Sequence, residues 1–310
     1  MEGKNDELCM KREFFIQLED GMKLFVEYYD SNKEDTVLFV HGGPGESCVS
    51  FSYFAALASQ YFNVVMLDQR GVMRSKEEHR PELITVQQII DDFEEVRKKL
   101  RIDKWYVLGH SFGGYVAMRY ALCYNQSIKG IIYENPCFNL EHSLCAIIEK
   151  YIEYYNKCGD IDKRRKVERL LLLNDIVEQF DGIISLPDID RKRVFRSEAI
   201  TSKCREYFDQ SLITPDAISK CLHHYNVIKY DKSLSIEYLI KSKEIVCSSL
   251  LIQGEMDPML PSVDKDEWLG NPRTSSVTVD GTGHYVHSDA PEAMVDILCE
   301  FIFANSNEEV

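Results

Sequence analysis

The stretch Gly109-His110-Ser111-Phe112-Gly113 is the part of this chain best suited to covalent chemistry. It has the pattern G-x-S-x-G, in which a serine stands on a tight strand-to-helix turn with its hydroxyl clear of the backbone. The apolar run YVL precedes it, and YVAMRYAL, which favours a helix, follows it. Because so short a pattern also occurs by chance, this stretch alone fits a nucleophile and a glycine-rich structural turn equally well.

A serine hydroxyl needs a general base to act as a nucleophile at neutral pH, and two late loops offer the groups required. Asp257 follows the apolar run Leu250–Gln253, and His284 follows Val277–Val279 and a glycine-containing turn. The chain order Ser111, Asp257, His284, each after a strand, is that of an α/β-hydrolase triad. In such a triad the histidine moves the proton and the aspartate orients the histidine.

Other residues compete for these roles. The alternative bases are His41, His110, His287, His223 and His224, and the alternative acids are Glu255, Asp264, Asp266 and Asp280. None of these histidines directly follows a late strand and its glycine turn, as His284 does. His41 is expected to support a neighbouring loop, and Asp68 and Arg70 are expected to brace one.

Acyl transfer also needs N–H donors directed at the developing oxyanion, each worth roughly 3–4 kcal/mol. The N–H of Phe112, directly after the serine, is one candidate. The loop His41-Gly42-Gly43-Pro44-Gly45 follows an apolar strand and offers the second. We expect this donor to be Gly43, with Gly42 as the alternative.

The elements that must position these loops alternate between short apolar strands and helices. Beyond the elbow, the sequence predicts a hairpin over 14–19 and 23–29, strands at 35–40, 62–67, 128–133, 246–253 and 275–279, and helices at 49–61, 85–100, 144–155, 167–180, 217–225 and 291–304. This alternation predicts a mostly parallel sheet with helices on both faces. Residues 137–243 lack buried strand blocks, so we expect a helical cap inserted after the sixth strand into a core of residues 1–136 and 244–310. Residues 1–12 are expected to be loose.

Composition argues against several classes of protein. The net charge of −15 over 310 residues disfavours nucleic acid and anionic membranes as partners. No run approaches the roughly 18 apolar residues of a membrane span, and the N-terminus lacks the apolar run of a secretory signal. A cytoplasmic protein with reduced thiols is therefore predicted. No metal is expected, because C-x-x-C and H-E-x-x-H are absent and the adjacent His223 and His224 would point in different directions on a helix.

Five motifs together resemble the proline iminopeptidase group of α/β-hydrolases: HGGPG at 41–45, DQRG at 68–71, GHSFGG at 109–114, GEMD at 254–257 and GTGH at 281–284. HGGPG followed by DQRG is the most specific pair, and the resemblance covers about residues 1–135 and 246–305. It implies an α/β-hydrolase fold and an aminopeptidase that needs no cofactor and releases an N-terminal residue, often proline, from short peptides. The triad and oxyanion roles would belong to Ser111, Asp257, His284, Gly43 and Phe112.

Two positions depart from that group's pattern and bear on the preference for proline. Phe112 stands where the group often has tryptophan, and Val72-Met73-Arg74-Ser75 stands where DQRG is commonly followed by a glycine-rich GxGxS. The group also uses cap glutamates to hold the free amine of the substrate. The candidates for that role here are Glu198 in the cap and Glu46 and Glu134 outside it.

Three functions follow from these observations. The first is an aminopeptidase acting on short peptides, because a buried ammonium group needs a carboxylate partner. The second is a serine esterase or amidase acting on a small neutral ester or amide, for which an apolar pocket without carboxylates is expected. The third is a non-catalytic binding protein, against which the intact triad and both oxyanion loops argue.

Overall fold

An eight-stranded sheet forms the centre of the molecule. The computed structural model describes residues 10–76, 84–195, 204, 207, 209–236 and 238–306. The strand order is β1-β2-β4-β3-β5-β6-β7-β8. The two pairs that include β2 are antiparallel and all the others are parallel. The strands are β1 (Met10–Gln17), β2 (Lys23–Asp30), β3 (Thr36–Val40), β4 (Asn63–Leu67), β5 (Trp105–His110), β6 (Ile128–Glu134), β7 (Ser248–Gly254) and β8 (Thr274–Val279).

Strand β1 begins earlier than the sequence indicates. Residues 10–12 were expected to be loose, but they pair with residues 28–30 of β2. The side chain of Arg12 also donates to Asp30 across this pair, at 2.8 Å. The polar residues at the start of β1 therefore extend the hairpin, because a strand exposed to solvent on one side does not need an apolar run.

Helices cover both faces of the sheet. They are α1 (Ser52–Ala58), α2 (Val86–Lys99), α3 (Phe112–Cys123), α4 (Leu140–Cys158), α5 (Ile161–Glu168), α6 (Ile176–Ile184), α7 (Asp188–Val194), α8 (Pro215–Ile228), α9 (Ser262–Leu269), α10 (Val286–Asp289) and α11 (Pro291–Ser306). No helix among the described residues is both long enough and apolar enough to cross a membrane.

The two faces of the sheet have separate apolar cores, which explains the continuous apolar runs of the central strands. Every residue of β3 is buried. Leu38 and Val40 pack on the side of α2 and α3, whereas Val37 and Phe39 pack on the side of α1 and α11. Successive side chains of a strand point to opposite faces, so a strand covered on both sides is apolar at every position.

The described residues between β6 and β7 form helices and no strand, as expected for a cap inserted after the sixth strand. Helices α4 to α7 have a small core of their own, formed by Leu144, Ile147, Ile148, Tyr151, Tyr155, Val167, Ile183, Leu186 and Val194. The boundaries 137 and 243 remain a prediction.

One predicted cap helix is wrong. The stretch 167–180 is not continuous: α5 ends at Glu168, a 3₁₀ turn follows, and Leu173 is extended with ψ 134°. The side chain of Asp175 then accepts hydrogen bonds from the N–H groups of Val177 and Glu178 and starts α6. An aspartate that caps the first turn of a helix satisfies donors that lack intrahelical partners, so it favours a new start over continuation.

Candidate active site

Ser111 stands on the sharp turn between β5 and α3. Its backbone has φ 55° and ψ −124°, a conformation that costs free energy for a residue with a side chain. A Cβ atom at Gly113 would overlap the carbonyl oxygens of Val40 and His41, and one at Gly109 would overlap the carbonyl of Gly113. The glycines two residues before and after the serine are therefore required by the close approach of β3, β5 and α3.

His284 lies in the loop after β8 and is paired with Asp257 from the loop after β7. Its Nδ1 is 2.6 Å from Oδ1 of Asp257, and the two side chains are 5% and 0% exposed. The other carboxylate oxygen of Asp257 accepts from the N–H of Met259 at 3.0 Å. With the proton on Nδ1, the ring has a free lone pair on Nε2, which is the atom that a general base uses.

The charges around His284 make it more basic than an ordinary histidine. Burial by itself lowers its pKa, but the negative charge of Asp257 and the hydrogen bond to it, followed by the charges of Glu46 and Glu134, raise the pKa above 6.5 overall. The protonated ring is therefore stabilised in this position. This is the property required of a base that accepts a proton during catalysis.

Asn135 joins the loops that carry the acid and the base, and the sequence did not indicate this role. Its side-chain amide donates to the carbonyls of Gly283 and His284, at 3.0 and 2.8 Å, and its oxygen accepts from the N–H of Gly254 at 2.8 Å. The residue is fully buried, with φ 42°. The only signal in the sequence is its place directly after β6, before Pro136.

Three of the competing histidines bond to backbone groups through their rings. The Nε2 of His110 bonds to the carbonyl of His284 at 2.9 Å. His41 bonds through Nδ1 to the carbonyl of Gly42 and through Nε2 to the N–H of Gln69. The Nδ1 of His224 bonds to the carbonyl of Arg70. These three rings are fully buried and support backbone segments.

Asp68 and Arg70 brace the loop after β4, in line with the prediction. Asp68 accepts from Ser47, the N–H of Cys48 and Arg74, and Arg70 pairs with Asp92 and Asp20. Neither residue lines the cavity that contains Ser111 and His284.

Met73 occupies the position where the resemblance predicts glycine. It has φ 42°, in the left-handed region that favours glycine. Its side chain is buried in a small cluster with Val72 and with Ala217 of α8. The methionine therefore forms a contact between the core and the cap that glycine would lack.

The two expected oxyanion donors flank Ser111. Phe112 is the first residue of α3, so its N–H has no intrahelical acceptor. Gly43 has φ 117°, and a Cβ there would lie 2.5 Å from the N of Gly45 and 2.8 Å from the N of Glu46, so only glycine fits. A Cβ at Gly42 would lie 3.1 Å from the Cβ of Ser111. The glycine loop thus packs directly against the serine.

Ser111 and His284 line one cavity of about 480 Å³. Seven apolar side chains form much of its wall: Leu144, Ile147, Phe180, Ile183, Ile184, Phe195 and Met259. Six of them belong to the region between β6 and β7, and Met259 belongs to the loop after β7. The chamber therefore lies between the core, which supplies the serine, and the cap, which supplies most of the apolar wall.

The three candidate glutamates have different positions. Glu46 lines the cavity. Glu134 does not line it: this carboxylate is fully buried and accepts from the backbone N–H and the ring Nδ1 of His287, at 2.8 to 2.9 Å. The proposed contact of Glu134 with substrate is therefore wrong, because both its oxygens are already engaged. Glu198 lies outside the described residues.

Glu46 has one oxygen held and one oxygen unpaired. Its Oε1 accepts from the hydroxyl of Tyr285 at 2.8 Å, whereas Oε2 is buried and has no hydrogen-bond partner among the described residues. A Cβ at Gly42 would lie 2.9 Å from this Oε2 and 3.1 Å from the Cβ of Ser111, so the two side chains are neighbours. A buried, unpaired carboxylate oxygen is costly unless a ligand satisfies it.

Among the described residues, only His110, Glu134 and His287 form a buried group whose ligand atoms lie close enough to suggest a metal site, all within 4.8 Å of one another. Hydrogen bonds account for part of the arrangement, since Glu134 accepts from His287 and His110 bonds to the carbonyl of His284, whereas Nδ1 of His110 and Nε2 of His287 have no partner among the described residues.

Comparison with known proteins identifies the fold and the family. A family described as the alpha/beta hydrolase fold matches residues 35–157. The proline iminopeptidase of Flavobacterium johnsoniae is 34% identical over 260 residues, which are 79% of this chain and 82% of that protein. This chain belongs to the proline iminopeptidase group of α/β-hydrolases. It is a hydrolase-fold protein of that group, as its five motifs indicated.

Solved structures of low identity share the fold of this iminopeptidase-group chain. The proline iminopeptidase of Mycobacterium smegmatis superimposes with a TM-score of 0.72 at 19% identity, over 96% of this chain and 100% of that one. A structure from a study of carboxylesterases of Nitrososphaera gargenis gives a TM-score of 0.62 at 19% identity, over 95% and 100% of the two chains. The same architecture thus occurs in proteins that are described by different activities.

Proposed function

We propose that this protein is a serine aminopeptidase that releases, from short peptides, an N-terminal residue with an uncharged, apolar side chain. The observation that carries the proposal is the unpaired, buried Oε2 of Glu46, in the same cavity as Ser111 and His284. An aminopeptidase needs a negative group near its nucleophile to bind the free ammonium of the substrate. Membership of the proline iminopeptidase group supports the same choice.

The reaction would proceed through an acyl-enzyme. The Oγ of Ser111 attacks the first carbonyl carbon of the peptide and its proton passes to Nε2 of His284, while the N–H groups of Gly43 and Phe112 bind the oxyanion. His284 then gives that proton to the departing amine, and the C–N bond breaks. Water attacks the ester with His284 again as base, and the proton returns to Oγ as the free amino acid leaves. Asp257 keeps the ring oriented throughout.

Glu46 would bind the substrate ammonium through Oε2. The bond from Tyr285 holds the other oxygen, so the carboxylate is oriented before the substrate arrives. The ammonium nitrogen of a bound peptide is separated from the reacting carbonyl carbon only by Cα, so its partner must lie close to the serine. Glu46 meets this requirement because both side chains adjoin Gly42.

The apolar wall of the cavity would receive the N-terminal side chain. A chamber of about 480 Å³ lined by leucine, isoleucine, phenylalanine and methionine has room for side chains larger than proline. We therefore expect leucine, methionine and phenylalanine to be accepted as well as proline. The two departures from the family motifs, at Phe112 and Met73, are compatible with this wider preference.

A second candidate function is hydrolysis of small apolar esters or amides without a free amine. The apolar cap wall favours it, because such a surface binds an acyl chain as well as a side chain. The two candidate functions differ in the role of Glu46. An ester without a free amine would leave Oε2 of Glu46 unpaired, so it would bind less well than a peptide with a free N-terminal amine.

The test is a panel of Pro-, Leu- and Ala-p-nitroanilides, their N-acetylated forms and p-nitrophenyl acetate. We expect the free-amine forms to be cleaved at least a hundredfold better than the acetylated ones, and Ser111→Ala to abolish turnover while the folded protein remains. Glu46→Gln should remove most of the preference for the free amine. Equal cleavage of free and acetylated forms would reject the aminopeptidase and leave the esterase or amidase.

A further inference from the structure

The cap brings positive charge to the cavity on one short helix. Helix α7 supplies Asp188, Arg191 and Lys192 to the lining. Arg191 and Lys192 both contact Asp188, at 2.8 and 2.9 Å, so one carboxylate is shared by two cations. The group therefore has a net charge of +1, in a chain whose overall charge is −15.

Arg191 is the better placed of the two cations. Its side chain is 33% exposed against 55% for Lys192, so its charge is less screened by water. It donates to the carbonyl of Ile184 and to Asp188, which leaves other N–H groups of its guanidinium for a ligand. It also opposes the rise in the pKa of Tyr285 that burial and Glu46 produce, so its charge acts on the same cavity wall.

The cavity is thus polarised. Its negative group, Glu46, adjoins the serine on the core side, and its positive group is on the cap side. The rest of the lining is mainly apolar. A ligand with a positive end, an apolar middle and a negative end would match these charges, whereas a long or blocked peptide would leave Asp188 as the partner of both cap cations.

We propose that Arg191, assisted by Lys192, binds the free α-carboxylate of the substrate, so that the preferred substrates are very short zwitterionic peptides, dipeptides above all. This inference rests on the proposed aminopeptidase function and names its substrate class. A guanidinium can bind a carboxylate through two parallel hydrogen bonds, which fix both position and orientation. The position of the carboxylate beyond the scissile bond would then select the length of the peptide.

The experiment compares Leu-Ala with its C-terminal amide and with Leu-p-nitroanilide, which has no carboxylate. We expect the wild-type protein to cleave Leu-Ala roughly ten- to a hundredfold better than the amide in kcat/KM, mainly through KM, as expected for a charge-assisted hydrogen bond. Arg191→Met should remove this preference by weakening cleavage of Leu-Ala alone. Arg191→Lys should retain part of it.

The matched control is Arg165→Met, which removes an exposed cap arginine of α5 that does not line the cavity. Arg165→Met should leave the kcat/KM for Leu-Ala and for its amide unchanged. Thermal unfolding of each variant reports whether it is folded. Equal cleavage of Leu-Ala and its amide by the wild type would overturn the carboxylate site, as would an equal loss on both peptides in Arg191→Met. Failure to cleave all three compounds would instead overturn the aminopeptidase function, and the carboxylate site with it.

Discussion

His284 and His287 lie three residues apart, and the ring of each is paired through Nδ1 with a carboxylate. His284 is 2.6 Å from Asp257, and His287 is 2.8 Å from Glu134. Both rings are almost completely buried. By pairing and burial alone, either histidine would serve as an oriented base.

The two histidines differ in whether the ring lines the cavity that contains Ser111. His284 lines the cavity beside Ser111, whereas His287 does not line it and packs on Phe51, with ring centroids 4.3 Å apart. Helix α10 begins at Val286, between the two residues, and His287 lies in its first turn. A histidine–carboxylate pair thus becomes a candidate base only where the backbone gives it access to a substrate chamber.

Replacing each histidine with glutamine should give the largest difference in activity between the two pairs. His284→Gln removes the base, so kcat should fall by about 10⁴-fold or more while the unfolding midpoint changes little. His287→Gln should retain most activity in the folded fraction and lose about 1–3 kcal/mol of stability. Steady-state kinetics and urea unfolding of both variants measure this. A comparable loss of kcat in His287→Gln would show that the second pair also acts in catalysis.

The carboxylates provide the next largest contrast. Asp257→Asn should lower kcat by about 10⁴-fold, because an amide no longer selects the ring tautomer with a free Nε2. Glu134→Gln should change kcat by less than about tenfold and act mainly on stability, since it removes a buried charged hydrogen bond. Activity per folded molecule, measured after urea titration, distinguishes these outcomes. Similar losses of kcat in both variants would contradict the assignment of Asp257 alone as the orienting acid.

The smallest expected effect is on pH dependence. A general base must be unprotonated, so kcat/KM should fall as pH drops through the pKa of His284, which Asp257, Glu46 and Glu134 raise above 6.5. His110 packs against the same ring and is kept neutral by burial, which lowers its pKa well below 6.5.

Glu134→Gln should therefore move the acid limb of the profile to lower pH, because one source of negative charge is lost. The control Glu153→Gln removes a surface carboxylate of α4 with a side chain 58% exposed, and should leave the limb in place. If the acid limb of the pH profile is unchanged in Glu134→Gln, the charge of Glu134 does not raise the pKa of His284 in solution.

The part of the site that the core supplies, which includes Ser111, His284, Asp257 and Gly43, was predictable from the sequence. Few residue types meet the requirements at these positions. The turn at Ser111 needs glycines two residues to either side, and parallel strands place their following loops at one edge of the sheet. The prediction therefore included the pair formed by His284 and Asp257, and the loop containing Gly43, before any distance was known. The structure places Ser111, Gly43 and His284 in the lining of one cavity, and Asp257 is hydrogen-bonded to His284.

The cap half was not predictable to the same degree. A cap helix needs only an apolar stripe and an exposed polar face, and many sequences meet this requirement. The pattern therefore did not indicate the break before α6. The cations of Arg191 and Lys192 resembled ordinary solvated charges in a lysine- and arginine-rich segment. Only packing of α7 over the chamber distinguishes them from the many other cap cations.

By itself, the sequence determined the succession of the eight strands along the chain, the family and the candidate serine, base and acid. These depend on local backbone requirements and on the chain order of loops at one sheet edge. The tertiary structure decided which carboxylate lines the cavity: Glu46 does, with one oxygen bound to Tyr285, whereas Glu134 is buried against His287. It also decided the role of Asn135, whose three hydrogen bonds join loops more than 100 residues away along the chain. Such contacts depend on long-range packing, which local sequence patterns do not record.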